Sequence, residues 1–528
     1  MATTFITTPT YGAGVLHAFS DEGDSLVILQ GGSLLATAGS PFSGTDFDDL
    51  DLFIQGAVYS SAYHTWNGAN LHFAVAAGGS VVSTVVGASN SFLFFQASGS
   101  EIINDGLILA SRSLAIVTAG GSAVSNFGTI RGKTAVYLGA NEASPDVLVN
   151  GGLIHANGIG NPATFNAHNH AIKIGSDGCV ITNLAAGRIV ADGPSGAGIV
   201  LLATAGGVSI RNAGLIESVS NFAINLALVA LDEAASTLIN RGEITGGLGA
   251  FNGSLNADLV VNRGLLAASV VMNGGDDTLD NRRGLIEGTV DLGAGNDLLD
   301  NRDGQIEGRI TGGLGNDRLI ASARVADIFD GGAGTDILDY RFGPAVIVAL
   351  DGSFDNAGGA LGDEITGVET IYGARHGADH LRGGAGANQL RGEGGDDTLD
   401  GAAGADVLIG GRGADSLIGG LGNDSFVYQS LDQIGDVIAD FSAVAGNDDR
   451  FQFTASGFGG GLVAGVLAAA QFQSRADNLA QDGNDRFIFN TLDQTLWFDV
   501  DGTGSKAPVM IADLQAGAIV TAADIFVV

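Results

Sequence analysis

Residues 383–427 read GGAGANQLR-GEGGDDTLD-GAAGADVLI-GGRGADSLI-GGLGNDSFV, five consecutive copies of a glycine-rich nonapeptide, G-G-x-G-x-D-x-U-x, where U is apolar. With the turn just before them, they set six aspartate-type positions at a strict nine-residue interval: Asp379, Asn388, Asp397, Asp406, Asp415 and Asp424. Glycine permits the positive φ that a tight turn needs, so backbone carbonyls can converge on an ion. The aspartate adds a hard, charged oxygen, and the apolar residue two places later points a short strand's side chain inward. Two nonapeptides make one coil, which predicts that Asp379, Asp397 and Asp415 stack on one side and Asn388, Asp406 and Asp424 on the other. Carboxylates stacked at the ~4.8 Å spacing of neighbouring strands repel one another unless cations lie between them. The expected ligand is therefore Ca2+.

Working upstream, the segment from residue 272 reads NGGDDTLDNRRGLIEGTVDLGAGNDLLDNRDGQIEGRITGGLGNDRLI. Asp277, Asp297 and Asp317 are twenty residues apart and Asp336 follows after nineteen, so these four join the candidate ligands. Between them lie turns of a second type, at Asn281 and Asn301. The looser parent of that turn, Asn-x-Gly-x-Ile, recurs at Asn104, Asn126, Asn150, Asn212, Asn240 and Asn262, with a longer form at Asn183; intervals run from 19 to 33 residues. Such a period with short apolar runs is the mark of a solenoid. Each rung is expected to hold two or three short strands, with the asparagine in a turn where its amide bonds backbone. Stacked rungs give an asparagine ladder inside a parallel β-helix of unspecified hand. The interleaving of the two turn types implies a solenoid running on from β-helix to calcium roll.

Composition agrees. The 528-residue chain holds 85 glycines but 7 prolines and lacks a G-X-Y period, which suits regular tight turns. A net charge of −35 excludes a general nucleic-acid binder and opposes compaction unless cations neutralise part of it. One cysteine, Cys179, leaves no intramolecular disulfide. No stretch keeps a 3.6-residue apolar period, so helix is expected to be scarce, and no apolar run reaches membrane-spanning length. The opening MATTFITTPTYGAGVLHAF lacks the basic start of a secretory signal, so an export address is expected elsewhere.

Beyond Asp424 the chain becomes aromatic and strand-rich, and here the residues support a likeness. The stretch from about residue 343 to 528 resembles the repeats-in-toxin (RTX) proteins exported by type I secretion in Gram-negative bacteria. GVETIYGARHGADHLRGGAGANQLRGEGGDDTLDG is similar to their lead-in and first repeats, and GDVIADFSAVAGNDDRFQF to their exit segment. LWFDVDGTGSKAPVMIADLQ with the final ADIFVV resembles their uncleaved C-terminal secretion region. The resemblance implies calcium binding, an extracellular or cell-surface location and a type I transporter as partner during export. The Asn-x-Gly-x-Ile rungs are similar to the β-helices of large bacterial adhesins. Departures from the RTX pattern are Asn388 in place of aspartate, Ala402 and Ala403 in place of glycines, and the ARHG opening of the Asp379 turn; these imply weaker or empty sites.

Enzyme readings find little. H-E-x-x-H, G-x-S-x-G and a phosphate loop G-x-x-x-x-G-K-[ST] are absent; Gly132-Lys133-Thr134 lacks the leading glycine, Phe127 standing in its place. Gly23-Asp24-Ser25-Leu26 spells a hydrolase motif but runs into the strand-like LVIL, and no D-x-x-H supplies a base. A β-helical polysaccharide lyase or uronate epimerase is the serious competitor. Its chemistry needs an acid/base pair, and the one basic cluster is His155, His168, His170 and Lys173, with Asp177 nearby. A longer turn flanking a solvent-facing strand explains that cluster more simply, and D-P-H-E of the alginate epimerases is absent. The acidic run Thr45–Asp51 reads as a solvated loop before it reads as a cation site.

The expectation is an all-β chain. Residues 1–270 form a parallel β-helix, with 1–20 as cap or leader, and 271–342 form hybrid calcium-binding rungs. Residues 343–372 connect to a nonapeptide β-roll over 373–428, and 429–528 form a β-rich secretion domain. The expected function is non-enzymatic: a secreted calcium-dependent adhesin or self-assembling layer component. Its partners would be polysaccharide, a cell surface or further copies of itself.

Overall fold

A computed structural model describes residues 3–528 except 13–16, 19–23, 37–41, 44–48, 61–63, 67–69, 84–90, 96–98, 112–113, 141–143, 158–168, 194, 203–205 and 228–233. Nearly all regular structure among these is β-strand. The chain divides into two compact units, residues 1–299 with 304–309, and residues 300–303 with 310–528.

The first unit is a parallel solenoid. Its strands are mostly two to five residues long and pair in register with the equivalent strand one rung away. One face stacks Glu101–Asn104, Ala123–Asn126, Val147–Asn150, Val180–Asn183, Ser209–Asn212, Thr237–Asn240 and Leu259–Asn262. A second face, 13 strands long, includes Leu107–Ala110, Thr129–Gly132, Leu153–Ala156 and Arg188–Ala191. A third carries Leu114–Thr118, Thr134–Leu138, Ile172–Ile174 and Ile199–Leu201.

The period-2 geometry of a strand turns alternate residues inward. Equivalent inward positions are aliphatic on rung after rung: Ile102, Val124, Leu148, Ile181, Ile210, Leu238 and Val260 stack on one face, all buried. Ile108, Ile130, Ile154, Ile189, Ile216, Ile244 and Leu266 do so on the next.

The asparagine that ends each first-face strand is also buried, and its amide is satisfied along the stack. Nδ2 of Asn104 donates to Oδ1 of Asn126 at 2.7 Å. The chain of bonds continues through Asn150, Asn183, Asn212, Asn240 and Asn262 to Asn281, every link between 2.7 and 2.9 Å. A buried amide costs little when both of its ends are bonded, so this ladder marks the rung corner without an ion.

The second unit contains the roll. Gln389–Gly394, Val407–Arg412 and Ser425–Tyr428 pair in parallel on one side. His380–Arg382, Thr398–Asp400 and Ser416–Ile418 pair on the other. The apolar residue of each nonapeptide fills the core, Leu381, Leu399 and Leu417 facing Leu390, Leu408 and Phe426. Residues 343–372 do not simply interrupt the pattern: Val346–Ala349 pairs in parallel with His380–Arg382 as a further rung strand. At the far end the strand order turns antiparallel through Phe487–Asn490, Thr495–Phe498 and Val509–Leu514. A cluster of Phe441, Phe451, Phe453, Phe458, Phe487 and Phe498 closes that end of the core.

Candidate metal centre

Each repeat aspartate sits one residue before a strand, with its carboxylate folded back into the turn. One of its oxygens accepts a backbone N–H one coil earlier, that of an aspartate-type residue in most cases and of Val346 for Asp379. Asp379 N–H donates to Asp397 Oδ1 and Asp397 N–H to Asp415 Oδ1, both at 2.8 Å. On the opposite side Asn388 N–H donates to Asp406 Oδ1 at 2.7 Å and Asp406 N–H to Asp424 Oδ1 at 2.8 Å. The two stacks expected from the nine-residue spacing are therefore present. The same bond links Asp277 N–H to Asp297 in the first unit and Asp317 N–H to Asp336 in the second.

The other oxygen distinguishes two classes of site. In Asp277, Asp336, Asp379, Asp397, Asp406, Asp415 and Asp424, Oδ2 is buried with no hydrogen-bond partner. These residues are at most 2 % exposed, as are Asp297 and Asp317. An unanswered carboxylate oxygen out of water is costly. By contrast Asp146 and Asp258, which also begin first-face rungs, are fully answered by protein. Asp146 accepts from Ser122 N–H and Thr118 Oγ1, and Asp258 from Ser236 N–H and Ser254 N–H. Asp363 accepts from Asp327 N–H and the Tyr340 hydroxyl, and Asp449 from Asp424 N–H and Ser442 N–H. Those four are structural caps. Asn388 falls with them, its Oδ1 accepting Gly384 N–H at 2.8 Å and its Nδ2 donating to Glu369 carbonyl.

In front of the unanswered oxygens of Asp336, Asp379, Asp397, Asp406, Asp415 and Asp424 the space is kept open by a missing side chain. A Cβ on Gly392 would lie 2.2 Å from Asp397 Oδ2 and 2.5 Å from the Gly410 carbonyl. One on Gly401 would lie 2.5 Å from both Asp406 Oδ2 and the Gly419 carbonyl. Gly373, Gly410 and Gly419 stand in the same relation to Asp379, Asp415 and Asp424. The result is a row of cradles, and at Gly392 and Gly401 a carboxylate oxygen and a carbonyl of the next coil converge. Among the described residues no three His, Cys, Asp or Glu side chains cluster, and the polar atoms facing Gly392 and Gly401 are carboxylate and carbonyl oxygens. An oxygen-only, carbonyl-rich shell fits Ca2+ and not a transition metal.

Electrostatics point the same way. Burial drives Asp397 up to about 8, with the neighbouring Asp379 and Asp415 charges adding to it. Burial pushes Asp277 to about 9, and Asp336, Asp379, Asp406 and Asp415 to about 6, outweighing the backbone N–H bonds that favour the charge. A charged ligand set that its own protein environment disfavours is one that a cation stabilises.

The profile of the RTX calcium-binding nonapeptide repeat matches residues 326–344, 377–408 and 400–428, in four copies. These segments are RTX repeats. They bind calcium, and the cradles lie within and beside them. None of the curated proteins compared matches the chain.

Other sequence candidates fare differently. His155 Nε2 lies 2.5 Å from Asp192, His170 is buried with Nδ1 accepting Ala197 N–H, and Lys173 Nζ stands 4.7 Å over the Tyr137 ring. His155 and Lys173 belong to strands of different sheets, and His168 lies outside the described residues. Ser25 donates to Asp51 within a paired strand, and Gly23 is outside the described residues, as are residues 45–48 of the acidic run. Missed by the sequence reading were the capping acids Asp146, Asp258, Asp363 and Asp449, together with Glu369, which accepts Asp336 N–H. Their spacing is irregular, and only a capping position before an apolar run marked them.

Proposed function

We propose that this is a secreted protein of the bacterial exterior, folded by calcium after type I export, and acting by binding as an adhesin or surface-layer component. The observation that carries the reading is the row of buried carboxylate oxygens without protein partners, in a chain of net charge −35. Of the ten positions read from the sequence, Asp277, Asp297, Asp317, Asp336, Asp379, Asp397, Asp406, Asp415 and Asp424 are the ligands. Asn388 is left out because its amide is satisfied without one. RTX-repeat proteins are typically secreted, and extracellular calcium modules bind at about 10⁻⁴–10⁻³ M. Binding free energy then becomes folding free energy: the roll stays unfolded in a calcium-poor cytosol, threads a transporter and folds outside.

A binding role is supported by the scattering of the His155, His170 and Lys173 side chains into separate structural contacts. No helix among the described residues is long and apolar enough to cross a membrane. Two measurements test the proposal. Calcium-loaded protein incubated with acidic polysaccharides should release no unsaturated or epimerised product, and turnover would replace the binding role with a lyase or epimerase. Removing residues 470–528 should trap the chain inside cells carrying a cognate type I transporter, whereas removing residues 1–100 should leave export intact. Export of the first truncation would refute the type I assignment.

A further inference from the structure

One aromatic ring in the second unit gathers two guanidinium groups. Phe342 is 42 % exposed, and the guanidinium carbons of Arg302 and Arg375 lie 4.1 and 4.8 Å from its centroid. Arg302 is neutralised by Asp300 at 2.6 Å. Arg375 has no carboxylate partner among the described residues. The chain has 58 acidic residues against 23 basic ones, and Arg375 is an arginine held on an aromatic face without a carboxylate, as is Arg450 over Phe526. Cation–π contact holds such a group in place without discharging it.

Arg375 opens onto a groove of about 510 Å³ that crosses successive turns of the roll, lined also by His376, Glu393, Arg412 and Gln433. Glu393 is paired by charge with Arg391 at 3.4 Å and Arg341 at 3.9 Å, which do not line the groove, although its Oε1 accepts no hydrogen bond. Arg412 meets Asp432 at 2.6 Å with its side chain 76 % exposed. Gln433 already accepts the Gln429 N–H with its amide oxygen, which leaves its NH2 as a donor. Gly377, Gly394 and Gly395 line the same groove without side chains, so a ligand can approach the backbone. These turns carry Asp379, Asp397 and Asp415, and calcium there would cancel the carboxylate charges that otherwise oppose an anion.

We propose that this groove binds the anionic group of an acidic sugar residue, Arg375 gripping a carboxylate or sulfate while Gln433 and His376 take ring hydroxyls. The inference rests on the reading that the protein acts by binding at the cell exterior, and it names the partner chemistry. Guanidinium is suited to a planar, bidentate grip on carboxylate, and the volume holds a sugar or two. The repulsion from the chain's net charge is screened over about 8 Å at physiological salt. A glycan with one charge per sugar also meets less of it than duplex nucleic acid, with one per ~1.7 Å.

The test uses the full chain loaded with calcium, titrated calorimetrically with tri-galacturonate, a sulfated trisaccharide, neutral galactotriose and a short oligonucleotide. Binding of the uronate, the sulfated sugar or both, with galactotriose inert, is expected and assigns the anion. Arg375→Ala should weaken that binding at least tenfold and Arg375→Lys less, while the calcium titration of the fold stays unchanged in both. Equal affinity in Arg375→Ala, equal binding of the neutral sugar, tighter binding of the oligonucleotide, or no binding by the unmodified chain would each overturn the groove assignment. The wider binding role is judged separately, by the turnover and export measurements.

Discussion

Stripping calcium should unfold the roll at neutral pH, and acid alone should bring it back. Asp379, Asp406 and Asp415 are held near 6 in the folded roll, against 3.8 in the unfolded chain. With folded values above unfolded ones, the folded state binds more protons between about pH 4 and 7. Stability without calcium is therefore fully present below about pH 4, falls as pH rises from there, and is lost once pH passes about 6 for these three. A tenfold displacement of a proton equilibrium is worth about 1.4 kcal/mol, so each of these carboxyls costs about 3 kcal/mol when forced to ionise in place. Asp397, held near 8, costs more. Together they amount to on the order of 10 kcal/mol, as large as the whole stability of a typical domain. In chelator, far-ultraviolet circular dichroism should show strand signal lost at pH 8 and regained only at about pH 4, where the unfolded carboxyls are protonated too. With calcium present the order reverses, because protons compete for the ligand oxygens and more calcium is needed at the lower pH. A chelated protein with the same strand signal at both pH values, or more at pH 8, would overturn this linkage.

Three substitutions probe the geometry. Gly410→Ala sets a Cβ 2.2 Å from Asp415 Oδ2, so half-saturating calcium in a fold titration should rise at least tenfold; an unchanged midpoint would mean that the cradle holds no ion. Ala402 sits at φ +71° where the next two repeats carry Gly411 and Gly420, also at positive φ; Ala402→Gly should stabilise the calcium-loaded roll by about 1 kcal/mol, and an unaltered or lower melting temperature would contradict that. Asn150→Ala removes a buried amide that links Asn126 to Asn183. It should cost the β-helix about 3 kcal/mol, equally in calcium and in chelator, and a loss seen only in chelator would tie the ladder to the ions.

How much of this was readable before the fold was known depended on regularity. Asp397, Asp406, Asp415 and Asp424 recur every nine residues, and Asn126, Asn150 and Asn183 close similar turns, so both stacks could be drawn from spacing alone. Asp363, Glu369 and Asp449 continue the pattern of backbone capping across insertions that break the period, and no count of residues finds them. Nor could spacing tell Asp258 from Asp277. Both cap the rung before, but Ser254 answers the second oxygen of one, while nothing in the protein answers the other. That difference depends on a single backbone N–H, and it separates a structural cap from a candidate ligand. The histidines were grouped by sequence proximity, which a solenoid does not preserve, since neighbouring strands in sequence lie on different faces.

Amide hydrogen exchange on the full chain, followed by mass spectrometry of its peptides in calcium and then in chelator at pH 7.5, separates a roll held by ions from one held by its own packing. Peptides spanning residues 373–449 should exchange slowly in calcium and lose that protection in chelator. Peptides spanning residues 101–262, held by aliphatic stacks and the asparagine ladder, should stay protected in both. Protection of residues 373–449 that survives chelation would mean that the buried aspartate oxygens are not there to hold calcium.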